Sequence, residues 1–149
     1  MKILMSIKPQ FVEKIRRGEK KFEFRRRLPQ KQDVTSIIVY ASKPVGKVVG
    51  EITVRDYLTY TVDEMWEGTK DRSGLTRKEF FDYFHGKKHA HAIEIKSYRE
   101  YEQPMPLDVL FPNRVPPQSY CYISDFEECR ASSTARHFLA NFENKNKNK

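Results

Sequence analysis

The sequence predicts an α+β domain, and three observations predict it. Short strand-like runs alternate with short helix-like runs from Pro9 onward. Two Thr-x-x-Glu capping signals, at Thr61 and Thr76, open helices in the middle of the chain. A segment with five prolines, Gln103 to Gln118, crosses to a final strand. A length of 149 residues suits one domain and is short for two. Hydrophobic residues make up 38% and charged residues 32%, a wet composition. Yet 10 Phe, 8 Tyr and 1 Trp are enough to build a core, which excludes disorder throughout. No apolar run approaches the ~20 residues of a membrane span, so no membrane role is expected. The apolar opening is too short for a signal peptide, and Lys8-Pro9 follows at once. Cys121 and Cys129 are too few for a disulfide scaffold and read as reduced thiols in a cytoplasmic protein.

Pro9 to Arg17 reads as a helix. Proline suits its first position, and Phe11, Val12 and Ile15 share one face. Gly18 fits the left-handed residue that ends it. Lys20 to Arg25 reads as a strand, with Phe22 and Phe24 on one face and Lys21, Glu23 and Arg25 on the other. Lys20 falls on the phenylalanine side unless the strand starts after it. Ser36 to Ala41 is a nearly all-apolar strand suited to burial. Ser42 to Lys47 is a turn, and Val48 to Leu58 a long strand in which Gly50 marks a bulge or a close approach. Thr61 with Glu64 opens a short helix through Met65 and Trp66. Gly68 to Gly74 is a polar loop, and Thr76 with Glu79 opens a helix whose Phe80, Phe81 and Phe84 make an apolar face. His89 to Tyr98 is a strand of poor phase, in which Ile93 and Ile95 are the better core candidates. Ser119 to Ser124 is the last strand. Residues 1–130 are expected to form the domain and 131–149 a C-terminal helix, Ala131 to Phe142, with a disordered basic tail.

The net charge is +8, and its location is informative. Residues 1–27 hold ten basic and three acidic residues, a net +7, whereas residues 28–143 carry a net −2. A basic run interleaved with aromatics is the footprint of a polyanion site.

Within that run, a glutamate flanked by cations can accept a base edge, orient an arginine or act as a base. The same residues would otherwise form a surface ladder of ion pairs, each contributing ~0–1 kcal/mol. Ser6 and Lys8 are either a short nucleophile–base pair or a helix cap beside a solvent-facing lysine, and the cap is favoured. Tyr40 either stacks on a base at a strand end, beside the Ser42 hydroxyl, or belongs to the core. Gln118 and Ser119 can read a base edge, because glutamine both donates and accepts. His89 and His91 share a strand face but lack the further ligands a zinc site needs. They read as exposed strand histidines, and no metal or cofactor is expected.

Gly18-Glu-Lys20-Lys-Phe-Glu23-Phe-Arg25 resembles the Gly-x-Lys-x-x-Glu-x-Arg signature of ASCH domains, with all four fixed positions matched. Ser6-Ile-Lys8-Pro9, Tyr40-Ala-Ser42-x-Pro44, Ser73-Gly-Leu-Thr76 and Pro116-Pro-Gln118-Ser-Tyr120 accompany it in order. Together these segments are similar to the bacterial and phage branch of that family over residues 1–124. The resemblance implies a PUA-like fold: a small, partly open mixed β-barrel with flanking helices, and a basic cleft that takes RNA or a modified nucleotide. Phosphates would meet Lys8, Lys14, Arg16, Arg17, Lys21, Arg25, Arg26 and Arg27. A base would enter near Lys20, Glu23, Tyr40, Ser42 and Gln118. Some similar proteins are acetylcytidine amidohydrolases or ribonucleases, so the alternative is a hydrolase with Lys20 and Glu23 as catalytic residues. In the amidohydrolases the position of Glu23 is a threonine, and a carboxylate there removes the attacking hydroxyl. A third acid would be Glu67 or Asp71. A regulator or phage accessory factor whose basic end contacts a protein or DNA is a third reading.

Overall fold

The computed structural model describes residues 1–147. These residues form six strands and five α-helices, with β1 Lys2–Ile7, α1 Pro9–Arg16, β2 Phe22–Arg25, β3 Ser36–Ala41, β4 Lys47–Thr61 and α2 Val62–Thr69 first. A 3-10 turn, Lys70–Arg72, leads to α3 Arg77–Tyr83, β5 His89–Met105, α4 Leu107–Leu110, β6 Tyr120–Ile123 and α5 Asp125–Lys147. The strands form one open sheet in the order β2-β5-β4-β3-β1-β6. The α+β architecture with flanking helices is as expected. The chain divides into two compact units. One holds Met1–Pro9, Ile37–Glu51 and Glu100–Lys149; the other holds Gln10–Ser36 and Ile52–Arg99.

In the first unit β1 runs parallel to β3, pairing Ile3 with Ile37 and Ile7 with Ala41, and antiparallel to β6, pairing Leu4 with Cys121. Leu4, Ile38, Tyr40, Val48, Leu107, Leu110, Phe111 and Ile123 form its core, against which Ala131, Ala135 and Phe138 of α5 pack. The proline-rich stretch is not one loop: β5 continues to Met105, and Leu107–Leu110 adds a helical turn. Helix α5 begins at Asp125 rather than Ala131, because Ser124 and Glu127 exchange capping hydrogen bonds (Ser124 N to Glu127 Oε2, 2.9 Å; Glu127 N to Ser124 Oγ, 3.2 Å). It runs through Glu143 to Lys147. Of the tail expected from Glu143, Asn148 and Lys149 lie outside the described residues.

In the second unit the core is aromatic. Phe24, Met65, Trp66, Phe80, Phe84, Ala90 and Ala92 are buried together. The Phe80 ring sits 5.1 Å from Phe24, 5.1 Å from Trp66 and 5.0 Å from Phe84. Helix α3 carries a complete capping box, with Thr76 Oγ1 accepting from Glu79 N and Glu79 Oε1 accepting from Thr76 N. At α2 only the first half forms: Thr61 Oγ1 accepts from Glu64 N.

Candidate functional site

The candidate residues fall into two sets, one in each unit. The second unit holds Lys20, Lys21, Glu23 and Arg25 to Arg27. Helix α1 ends at a left-handed Gly18 (φ +78°), and strand β2 begins only at Phe22. Along β2, Phe24 lies opposite Ala92 on the aromatic side. Glu23 lies opposite Ile93, and Arg25 opposite His91, on the reverse side. Lys20 projects to the aromatic side, with Nζ 4.8 Å from the Phe24 ring centre and 5.2 Å from that of Phe11. The signature lysine and glutamate therefore point to opposite faces of the same hairpin.

Lys20 is 2% exposed, and its ammonium donates to Ser73 O at 2.8 Å. Burial pushes its pKa down from 10.5 to about 8; Lys14 and Arg25 push the same way, and the negative charges of Glu23 and Glu79 oppose them. The carbonyls of three consecutive loop residues are held from the hairpin side. Lys21 N donates to Arg72 O at 2.8 Å, Lys20 to Ser73 O, and Lys14 Nζ to Gly74 O at 2.8 Å. Gly74 has φ +70°, and a Cβ there would stand 2.8 Å from the Lys20 Cβ. This backbone packs so closely on Lys20 that only glycine fits. The Ser73-Gly-Leu-Thr76 segment is thus the seat of the signature lysine, a role its polar, loop-like sequence did not reveal.

Glu23 is 7% exposed and therefore not on open surface. Its Oε1 lies 3.4 Å from Arg25 Nη2, while Oε2 is buried and accepts no hydrogen bond from the described residues. A buried carboxylate oxygen without a donor is costly to the fold. Arg26 is exposed but ordered: Nε donates to Tyr83 O at 3.0 Å and its guanidinium lies 4.3 Å over the Tyr83 ring. Arg27 is exposed. The expected third acids are not at Lys20. Glu67 pairs with Lys70 at 2.8 Å, and both Glu67 and Asp71 are exposed. The acids whose charge reaches Lys20 are Glu23 and Glu79, the latter engaged in its capping box.

The first unit holds Ser6, Lys8, Tyr40, Ser42, Gln118 and Ser119. Ser6 ties β1 to the segment before β6. Its hydroxyl donates to Pro117 O at 2.6 Å, and its N–H donates to Ser119 O at 3.1 Å. It thereby holds the segment that presents Gln118 and Ser119, both exposed. Tyr40 is 5% exposed within the core, which fits the core reading rather than a stacking platform. Ser42 N donates to Ile7 O at 3.0 Å, fixing the turn after β3, and Lys8 is exposed. His91 Nδ1 is 2.8 Å from Thr59 Oγ1 in the second unit. No helix among the described residues is long and apolar enough to cross a membrane.

A family model described as the ASCH domain matches residues 5–109. An "ASCH domain-containing ribonuclease" of Zymomonas mobilis is 30% identical over 123 residues, covering 80% of this chain and 82% of that protein. The crystal structure of an ASCH protein from Zymomonas mobilis superposes with a TM-score of 0.80 at 27% identity, over 89% of this chain and 94% of that one. Part of the large ribosomal subunit protein uL22 of Ureaplasma parvum is also similar, 31% identical over 74 residues; they make up 50% of this chain and 24% of that protein.

Proposed function

The chain belongs to the ASCH domain family, and on that premise we propose that it binds RNA, or a modified nucleotide, through the basic N-terminal hairpin. The observation that carries the proposal is the Glu23–Arg25 couple. A buried carboxylate with one oxygen lacking a donor sits beside a cation and at the start of the Arg25-Arg26-Arg27 run. Glu23 Oε2 would accept from the exocyclic amine or ring N–H of a base, and binding would supply its missing donor. Lys21, Arg25, Arg26 and Arg27 would neutralise phosphates. In the first unit Lys8 would add a phosphate contact, and Ser42, Gln118 and Ser119 would add polar contacts to a base or sugar. Ser6 would act by holding the Pro117–Ser119 segment, and Tyr40 by supporting the strand end.

A second reading is favoured by the name of the Zymomonas relative: cleavage of RNA phosphodiesters on the same hairpin. Here Glu23 would be the base and Arg25 the cation facing the phosphoryl oxygens. Lys20, enclosed and hydrogen-bonded to Ser73, would act as a positioning residue.

Fluorescence anisotropy of a labelled single-stranded RNA, titrated across salt concentrations, tests the first reading. About five neutralised phosphates would give a log–log slope of roughly −3.5, at about −0.7 per phosphate. Glu23→Gln should weaken binding at every salt concentration. Arg26→Ala and Arg27→Ala should each flatten the slope. Binding that ignores salt, or no binding of any RNA, refutes the reading. Incubation of a mixed RNA pool with wild type and Glu23→Gln tests the second: no cleavage product from the wild type eliminates it.

A further inference from the structure

The second unit contains a cavity apart from the signature strand. Its volume is about 410 Å3, and it lies where the start of α2, the end of α3 and the turn after α3 come together. It is an open groove rather than an enclosed chamber, and its volume falls within the roughly 300–1,000 Å3 of small-molecule sites. One wall is apolar, formed by Phe81 and the buried Phe84; the rim carries His85, Lys87 and Lys88, with Asp63 as its acid. The local sequence explains the arrangement. Phe84 N–H closes on α3 at Phe80 O, and Gly86 takes a left-handed turn (φ +76°). Lys87 N then returns to Phe84 O at 2.9 Å, which brings the two lysines back across the helix end. Both are exposed, and among the described residues neither forms an ion pair, so two cations and one carboxylate line the site. Phe81 is half-buried. Arg77 covers part of its ring, with its guanidinium 4.7 Å from the ring centre, but Arg77 is not among the cavity walls. The ring therefore offers the cavity a part that no guanidinium occupies.

An aromatic wall beside unpaired lysines is the chemistry that holds a nucleotide, with the base on the ring and the phosphate on the ammonium groups. We propose that this cavity is a second nucleotide-binding subsite, with the base against Phe81 and the phosphate between Lys87 and Lys88. The ligand class rests on the RNA-binding reading above. The subsite extends that reading by adding a nucleotide contact that the signature strand does not make.

The single tryptophan, Trp66, lies 6.1 Å from the Phe81 ring and reports on the cavity wall. Its fluorescence should change saturably on titration with AMP, change weakly with adenosine, and not change with inorganic phosphate. In Lys87→Ala/Lys88→Ala the apparent Kd for AMP should rise at least tenfold; both side chains are exposed, and far-UV circular dichroism should be unaltered. On a labelled RNA oligonucleotide the same variant should lower the salt slope by roughly 0.7, the contribution of one phosphate. The proposal is overturned if AMP produces no saturable change. It is likewise overturned if the double variant binds AMP as tightly as wild type, or if inorganic phosphate displaces AMP at equal concentration, which would mark an anion patch without a base contact. RNA binding that survives the double variant with an unchanged slope also overturns it, while leaving the reading of the signature hairpin standing. AMP binding that requires the lysines, in a protein that binds no RNA, would uphold the subsite and sink the hairpin reading.

Discussion

Gly74→Ala is the substitution whose consequence the structure sets most sharply. Two costs meet at this position. The backbone is left-handed at φ +70°, which costs a residue with a Cβ about 1–2 kcal/mol. The new methyl would stand 2.8 Å from Lys20 Cβ, 2.9 Å from its Cγ and 3.0 Å from its Cδ. These atoms are the root of a buried side chain rather than its free end, so overpacking adds about 1–3 kcal/mol. The sum, about 2–5 kcal/mol, should lower Tm by roughly 5–20 °C for a chain of this size. Gly18→Ala supplies the reference. It has a similar φ, +78°, but nothing within 4 Å of the added methyl, so it should lose only the first term. Denaturation in urea, followed by Trp66 fluorescence and far-UV circular dichroism, measures both. A cycle with Lys20→Ala, which removes Cγ and Cδ, should show a coupling of about 1 kcal/mol or more between positions 20 and 74. Equal losses for Gly74→Ala and Gly18→Ala, with no coupling to Lys20, would refute the close seating of the lysine on the loop.

Three further outcomes follow from the geometry. The folded chain holds the Lys20 pKa at about 8 against an ordinary 10.5, so the unfolded chain binds that proton more tightly. Folding thus carries a penalty of about 3 kcal/mol below pH 8, which fades as pH rises toward 10.5. The stability of Lys20→Met relative to wild type should fall by about that amount between pH 7 and 10.5, and a difference that stays constant with pH would refute it. Ser6→Ala removes the 2.6 Å hydrogen bond to Pro117 O and should cost about 1 kcal/mol, with faster amide exchange in residues 118–120 as its signature. Thr76→Ala removes the capping hydrogen bond to Glu79 N and should cost about 1 kcal/mol in thermal denaturation.

Where local chemistry decides an element, the sequence announced it. The Thr76–Glu79 box, the proline at the head of α1 and the Phe22/Phe24 alternation all correspond to elements of the fold. Where burial on both faces decides, the sequence is mute. Strand β1 lies between β3 and β6 with Ile3, Leu4 and Met5 all buried, so its apolar run lacks the alternation that marks a half-exposed strand. The poor phase of β5 has the same cause. Ala90 and Ala92 face the aromatic core, while Ile93 and Ile95 are buried on the reverse side, the side that also carries Glu23. The early start of α5 was legible in Ser124-x-x-Glu127, a signal of the kind used elsewhere in the chain. The seat of Lys20 was not legible. It depends on a loop about fifty residues away in sequence, and nothing local in Ser73-Gly-Leu-Thr76 announces a buried ammonium.

The opposite facing of Lys20 and Glu23 changes how the signature should be understood in this chain. A lysine and a glutamate three residues apart invite a reading as one acid–base couple. Their surroundings deny it: Lys20 precedes β2 and its ammonium lies against the Phe11 and Phe24 rings, whereas Glu23 alternates with Phe24 along β2 and lies on the strand's other side. Among the described residues no hydrogen bond joins them, and the Lys20 ammonium donates to the Ser73 carbonyl. A buried ammonium that lowers stability near neutral pH is a poor choice for mere packing, since an apolar side chain between Phe11 and Phe24 would serve better. Its use is therefore to be sought in what it holds. With Lys14 and the Lys21 amide it ties three consecutive loop carbonyls to the hairpin, which fixes β2 and hence the position of Glu23 and Arg25 on the far face. The lysine then acts on any ligand through the loop it anchors, and the glutamate acts by contact.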